Sequence, residues 1–166
     1  MTEEIFLAKT KNGFNVVYDS EHSHAATHFA STPSLLGLVK EALQMTDVSA
    51  QNIRFEVDMG QIVGETDLVE TTSADEIVYA LRPFRDRYSR FVKDRRPEPT
   101  TYITIELKKQ EDGTYLLYTA YIGRLVPSFP GGNVMPEKSR EFWSHHALVW
   151  GRQGIVPGTE TTECPW

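Results

Sequence analysis

The sequence predicts an α+β fold in which a mostly antiparallel sheet is flanked by a few helices. Short runs of alternating apolar and polar residues indicate strands, and Asn-Gly and Asp-Gly pairs between such runs indicate hairpin turns. One segment near residue 40 has the apolar spacing of a helix. The composition, with 40% hydrophobic and 24% charged residues, is typical of a globular protein. No apolar run approaches the roughly 20 residues that cross a bilayer.

The first third of the chain contains signals for a hairpin and two further strands. Residues 5–8 and 14–18 are short apolar runs, and the Asn-Gly pair at residues 12–13 predicts the turn that joins them. Alternating residues at 53–57 predict a third strand, and residues 62–63 begin its predicted return strand.

A helix is predicted to begin near Pro33 and to end at about Met45. Ser31 or Thr32 can cap it, and proline suits the first turn because its ring fixes a helical φ. Apolar residues recur at helical spacing from 35 to 43, so the helix should bury one face.

Residues 64–72, in the middle of the chain, lack a clear pattern of apolar residues. They form the one domain boundary that the sequence suggests. We expect an N-terminal α+β subdomain over residues 1–70 and an antiparallel-sheet domain over residues 71–166, or one single domain throughout. Ser73 and Glu76 have capping-box spacing and predict a short helix or turn.

Residues 77–81 predict a strand, because their β-rich sequence IVYAL precedes Pro83, which would break a helix. The residues that follow are predicted to form a basic loop. Residues 101–107 alternate strictly and predict a central strand, paired across an Asp-Gly turn with residues 115–122. The alternation should bury three residues of one face, which are Ile103, Ile105 and Leu107.

The C-terminal part combines a loop, a helix and an ambiguous apolar segment. Residues 123–136 are rich in glycine and proline and predict a loop. A helix is predicted from Pro136 to about Ser144. Residues 146–150 could extend that helix or form a final strand, and the tail from Gly151 lacks periodicity.

Positive charge is concentrated between residues 82 and 96. Seven basic and two acidic residues give this stretch a charge of +5, whereas the remaining 10 basic and 21 acidic residues give −11. Arginines bind phosphate bidentately and aromatic rings stack on bases, so we expect RNA or another polyanion to bind here. A solvated loop that pairs with the acidic remainder of the protein would explain the same charges. The predicted binding residues are Arg85, Arg87, Arg90, Lys93 and Tyr88.

A second set of polar residues combines hydroxyls, imidazoles and guanidinium groups. These groups can cleave RNA without a metal: histidine moves protons, hydroxyls orient the phosphate, and arginine stabilises its developing charge. Structural histidines at a helix end are the alternative interpretation. The candidate catalytic residues are His146, His145, Thr119, Tyr121, Arg124 and Arg82.

The segment Tyr118-Thr119-Ala120-Tyr121 lies after the basic stretch and before a proline-rich loop, a helix and a strand. This order resembles the barnase–EndoU–colicin–RelE-like (BECR) superfamily of small ribonucleases over roughly residues 75–150. The resemblance implies metal-independent RNA cleavage on a sheet face. Many members are toxin modules, which implies a cognate inhibitor protein as a partner. The family's leading His or Lys has no match here, unless Arg82 or Arg85 replaces it.

The absence of several sequence motifs argues against metal-binding, nucleotide-binding and common hydrolase functions. His22, His24 and His28 could hold zinc, but no further ligand motif accompanies them, so we predict no metal and no cofactor. The chain lacks the glycine-rich nucleotide-binding motifs and the nucleophile elbow. Cys164 is the single cysteine, which excludes an internal disulfide and suits a reducing cytoplasm. A signal peptide and a membrane partner are not expected.

The sequence therefore favours an RNA-binding protein with metal-independent endoribonuclease activity. The alternative is a non-catalytic module whose basic loop engages an acidic partner or a nucleic acid. An enzyme should gather the histidine pair, Thr119 and Arg82 around one cleft, whereas a binding module need not.

Overall fold

The computed structural model describes residues 4–19, 33–130 and 137–166. Within these ranges the chain forms 11 strands and two helices, and the sheets are mostly antiparallel, which confirms the predicted α+β class. The first strands and helix are β1 (Glu4–Lys9), β2 (Asn15–Asp19), α1 (Pro33–Gln44), β3 (Arg54–Asp58), β4 (Gly64–Thr66) and β5 (Leu68–Glu70). They are followed by β6 (Ile77–Leu81), β7 (Tyr88–Val92), β8 (Glu98–Thr100), β9 (Tyr102–Lys109), β10 (Tyr115–Ile122), α2 (Glu137–His145) and β11 (His146–Val149).

The chain divides into two compact units, and neither is a continuous segment. Unit 1 comprises Met1–Gly64 and Thr100–Leu125, and unit 2 comprises Glu65–Pro99 and Val126–Trp166. The hairpin of β9 and β10, which the sequence groups with the basic stretch, belongs to unit 1. The reason is strand pairing, since β9 pairs with β3 and β10 pairs with β2.

Unit 1 is a five-stranded sheet with helix α1 packed into its core. The strand order is β1-β2-β10-β9-β3, and β2 and β10 form the parallel pair. The core joins Val39 and Leu43 of α1 to the alternate residues of β9. Those residues, Ile103, Ile105 and Leu107, are fully buried, as the strict alternation predicts. The proposed caps Ser31 and Thr32 lie outside the described residues.

Unit 2 is built on a four-stranded sheet in the order β5-β11-β7-β6. Strands β7 and β11 run parallel, and the other pairs are antiparallel. Alternation separates the apolar residues into two clusters: Phe91 packs with Val78 and Ala80, whereas Val92 packs with Ala147 and Val149. The inner strands β7 and β11 are therefore covered on both faces.

The prediction of one basic loop after residue 81 is wrong for residues 88–92. These residues form β7, which turns back along β6 and pairs from Tyr88 opposite Leu81 to Val92 opposite Ile77. The sequence Tyr-Ser-Arg-Phe-Val has the composition of a strand, but its flanking charges conceal the pattern. At about 3.3 Å per residue, the strand separates the basic residues before it from those after it by roughly 20 Å.

The structure shifts one further predicted element and decides between two pairs of alternatives that the sequence left open. The return strand lies at Gly64–Thr66 rather than at residues 62–63. The Ser73 segment is a turn, in which the backbone nitrogen of Thr72 donates to Asp75 Oδ2 at 2.7 Å. The apolar segment after α2 is the final strand β11 and does not extend the helix.

The C-terminal loop and helix largely follow the prediction. Residues 123–130 form neither helix nor strand, whereas Pro136 lies outside the described residues. Among the described residues, no helix is both long enough and apolar enough to cross a membrane.

Candidate functional site

The hairpin that joins β6 to β7 in unit 2 presents the first half of the basic stretch. Leu81 and Tyr88 are its last paired residues, so residues 82–87 form the connection. The backbone nitrogen of Arg85 donates to the carbonyl oxygen of Arg82 at 3.2 Å, which closes a turn. Phe84 lies in this turn with a left-handed φ of 63° and a fully exposed side chain.

Arg82 is a partly buried cation that is held by neutral groups. Its Nε donates to Ser89 Oγ at 2.8 Å, and its Nη1 donates to Gln153 Oε1 at 2.7 Å. Burial is the main cause that lowers the pKa of Arg82 to about 10, and the nearby charge of Arg85 adds to this effect. An incoming anion would restore the electrostatic stabilisation that the guanidinium loses on leaving water.

Arg85 and Arg87 lie beside Arg82 on the same hairpin. Arg85 is exposed, and Arg87 is partly buried with an Nε that has no hydrogen-bond partner. In the described ranges, no carboxylate forms an ion pair with any of these three arginines. The hairpin thus carries three guanidinium groups that form no ion pair with a carboxylate of the described residues.

Arg90 differs from the hairpin arginines because it lies inside unit 2. Its side chain is buried, and its Nη1 donates to Thr71 Oγ1 and to the carbonyl oxygen of His146, both at 2.9 Å. These bonds hold neighbouring strands together and leave Arg90 directed away from solvent. Arg90 is therefore not among the guanidinium groups that the hairpin presents to solvent.

The remaining candidate binding residues are distributed along β7. Tyr88 is partly buried at the start of the strand. Lys93 follows the strand, with its Nζ 5.5 Å from the ring centroid of Trp150. Beyond it, Arg95 forms ion pairs with Asp75 at 3.1 Å and Glu98 at 3.3 Å. This end of the basic stretch is therefore partly neutralised within unit 2.

His146 is held in one orientation at the junction of α2 and β11. Its Nδ1 lies 2.9 Å from the carbonyl oxygen of Phe142, and its ring stacks on the Phe142 ring with centroids 4.1 Å apart. A carbonyl oxygen can only accept, so Nδ1 carries the proton and Nε2 of the neutral ring is left as an acceptor. The neighbouring His145 is exposed.

Arg82 and His146 are connected through the interior of unit 2. The register of β7 and β11, with Leu148 beside Phe91, places His146 on the side of the sheet that carries Ser89, the partner of Arg82. A row of ring contacts also links the two residues. The Arg82 guanidinium carbon lies 5.6 Å from the Phe129 ring, Phe129 stacks on Trp143 at 3.8 Å, and Trp143 meets Phe142 at 5.0 Å.

The other three candidate catalytic residues lie in unit 1. Thr119 and Tyr121 are partly buried on β10. Arg124 makes a bidentate ion pair with Glu56, through Nη2 to Oε1 at 2.8 Å and Nε to Oε2 at 3.1 Å. The hydrogen bond from Arg124 is the main cause that lowers the pKa of the Glu56 carboxyl. Arg124 is thus already paired with a carboxylate.

The candidate catalytic set is accordingly divided, with three members in each unit. Arg82, His145 and His146 share unit 2. Sequence reasoning missed Ser89 and Gln153, which position Arg82, and Phe142, which positions His146. A period of two through residues 88–92 could have indicated Ser89, because it places Ser89 and Arg90 on opposite faces. The contacts of Gln153 and Phe142 have no such signal in the sequence.

Two other features do not add to this site. The histidines at positions 22, 24 and 28 lie outside the described residues, and the described part of the chain contains no group of three or more metal-binding side chains. An open depression of about 520 Å³ lies at the β9–β10 turn and is lined by none of the candidate residues.

Comparisons with protein-family models, curated proteins and solved structures give no significant match to this chain. The resemblance to the BECR ribonucleases therefore stays an expectation from the sequence.

The two kinds of arginine in the basic stretch should differ in their effect on stability. We expect Arg90→Ala to lower the free energy of unfolding by about 1–3 kcal/mol, because the partners of its buried hydrogen bonds are left unsatisfied. Arg85→Ala, the matched control on the exposed hairpin, should change it by less than about 0.5 kcal/mol. Urea unfolding followed by tryptophan fluorescence measures both, since Trp143, Trp150 and Trp166 all lie in unit 2. Equal effects of the two substitutions would contradict the distinction between a buried structural arginine and an exposed hairpin arginine.

Proposed function

We propose that this protein binds RNA and that the β6–β7 hairpin of unit 2 holds its phosphates. One observation carries the proposal: Arg82, Arg85 and Arg87 share the hairpin, and among the described residues no carboxylate pairs with them. Guanidinium groups match the geometry of phosphate oxygens, and a partly desolvated cation such as Arg82 gains most from an anionic ligand.

RNA is favoured over an acidic partner protein because the hairpin carries an aromatic side chain among its arginines. Phe84 is exposed between Arg82 and Arg85. An acidic peptide would satisfy the arginines alone, whereas a nucleic acid offers both phosphates for the arginines and bases for a ring.

Charge reversal on the hairpin should weaken RNA binding. We expect Arg85→Glu/Arg87→Glu to lower the affinity for a single-stranded RNA by about tenfold or more. The plot of log K against log salt should become shallower by about 1.4, because each phosphate contact on a single strand contributes about 0.7. Fluorescence anisotropy over a salt series measures both quantities.

The matched control for this variant is Lys40→Glu/Lys109→Glu, which changes the net charge equally at exposed positions of unit 1. Its affinity and salt dependence should stay close to those of the wild type. Equal losses in the two double variants would show that only net charge matters and would contradict a hairpin site. Unchanged affinity in the hairpin variant would leave the arginines as a solvated surface.

A second proposal is that the protein cleaves the RNA that it binds. The observation that favours it is the fixed orientation of His146, whose Nε2 is left as a proton acceptor in the unit that contains Arg82. In this reaction the RNA 2′-hydroxyl transfers its proton to Nε2, and its oxygen attacks the adjacent phosphorus. The 5′-oxygen takes a proton from a water molecule as it leaves, the hydroxide that forms removes the proton from His146 Nε2, and the product ends in a 2′,3′-cyclic phosphate. Arg82 would stabilise the charge that develops on the phosphoryl oxygens.

Cleavage should depend on His146 and should persist in EDTA, because the RNA supplies its own nucleophile. We expect His146→Ala to lower the cleavage rate by about 100-fold or more, while the affinity for RNA stays within about twofold. His145→Ala, the adjacent exposed histidine, is the control and should retain activity. Incubation with total RNA, followed by analysis of the product ends, is the measurement. Cleavage of DNA or of 2′-O-methyl RNA would contradict the mechanism. Intact RNA in every reaction would refute the cleavage proposal, and only the binding proposal would remain.

A further inference from the structure

Phe84 combines two unfavourable features at the tip of the β6–β7 hairpin. Its side chain is as exposed as that of a free residue, with a relative exposure of 107%. Its φ of 63° lies in the left-handed region, which residues other than glycine rarely adopt. Among the described residues, none is in ring contact with Phe84 to compensate for this exposure. Strained and exposed residues of this kind are typical of binding sites.

The surroundings of Phe84 define the chemistry of its ligand. Pro83 precedes it and fixes its own φ, and Arg85 follows it as an exposed cation. Arg82 and Arg87 lie at the two ends of the same connection, residues 82–87. A ligand of this tip must therefore offer negative charge and a flat apolar surface within a few ångströms of each other.

We propose that Phe84 stacks on an unpaired base and that the RNA ligand of this protein is single-stranded. This inference rests on the proposed RNA binding and names the class of RNA. A base in a duplex is already stacked on both faces, so the ring could not reach it without disrupting the helix. An unpaired base exposes its face, and the neighbouring phosphates lie within reach of the arginines.

A membrane surface suits the hairpin tip less well than a nucleic acid does. Between residues 82 and 87 the apolar contribution comes from Phe84 and Pro83 alone. Binding at an interface depends on a larger apolar area together with basic charge. Anionic vesicles therefore enter the test as a competing outcome.

The test compares four ligands at one salt concentration: a single-stranded uridine 12-mer, an RNA duplex of the same length, inorganic polyphosphate, and phosphatidylserine vesicles. We expect Phe84→Ala to lower the affinity for the single strand by about tenfold, the loss typical of one stacked base. Its affinity for polyphosphate should stay within about twofold, because polyphosphate has no bases. Phe84→Trp should retain single-strand affinity, whereas Phe84→Leu, which keeps apolar surface without a ring, should resemble the alanine variant.

Phe6→Ala is the matched control, since Phe6 is also an exposed phenylalanine but lies in β1 of unit 1. It should leave the affinities for all four ligands unchanged. If the wild type binds polyphosphate and RNA but Phe84→Ala binds the single strand as tightly, the stacking inference is wrong while the hairpin proposal survives. If the wild type binds neither polyanion, the proposed function itself fails. Tight binding to phosphatidylserine vesicles that Phe84→Ala abolishes, with RNA affinity unchanged, would assign the tip to membranes and overturn the inference.

Discussion

The hydrogen bonds of the buried Arg90 guanidinium constrain the arrangement of unit 2. They join β7 to Thr71 after β5 and to the first residue of β11, so they connect three neighbouring elements at one point. A buried guanidinium without such acceptors would be strongly destabilising. Because strand residues alternate, fixing Arg90 on one side of β7 directs Ser89 to the other side, where its hydroxyl accepts from Arg82.

This constraint divides a stretch that is uniformly basic in sequence into parts with different roles. Arg90 stabilises the sheet, and Arg95 is paired with Asp75 and Glu98 beyond the end of β7. The hairpin arginines before β7 have no such partners among the described residues. The proposed anion site is therefore smaller than the charge pattern suggests, and it depends on the hairpin end alone.

The sequence predicted best the elements whose signal is local. The strand β10 has the predicted bounds, because strict alternation and an Asp-Gly turn define its hairpin within about twenty residues. The division into units depends instead on pairing between β9 and β3, which lie far apart in sequence. For the same reason the ion pair of Arg124 with Glu56, 68 residues away, could not be predicted, because no local pattern reports this contact.

Chemical modification of the individual arginines is the most direct test of whether the basic stretch contains both exposed hairpin arginines and a buried structural arginine. Phenylglyoxal modifies exposed guanidinium groups, and peptide mass spectrometry gives a rate for each residue. Arg85 should react rapidly and Arg90 slowly in the free protein, because Arg85 is exposed and Arg90 is 9% exposed. Saturating single-stranded RNA should then protect Arg85 while leaving the rate of the exposed Arg140 on α2 unchanged. Rapid modification of Arg90, or a rate for Arg85 that RNA does not alter, would contradict the division of the basic stretch and the site proposed on its hairpin.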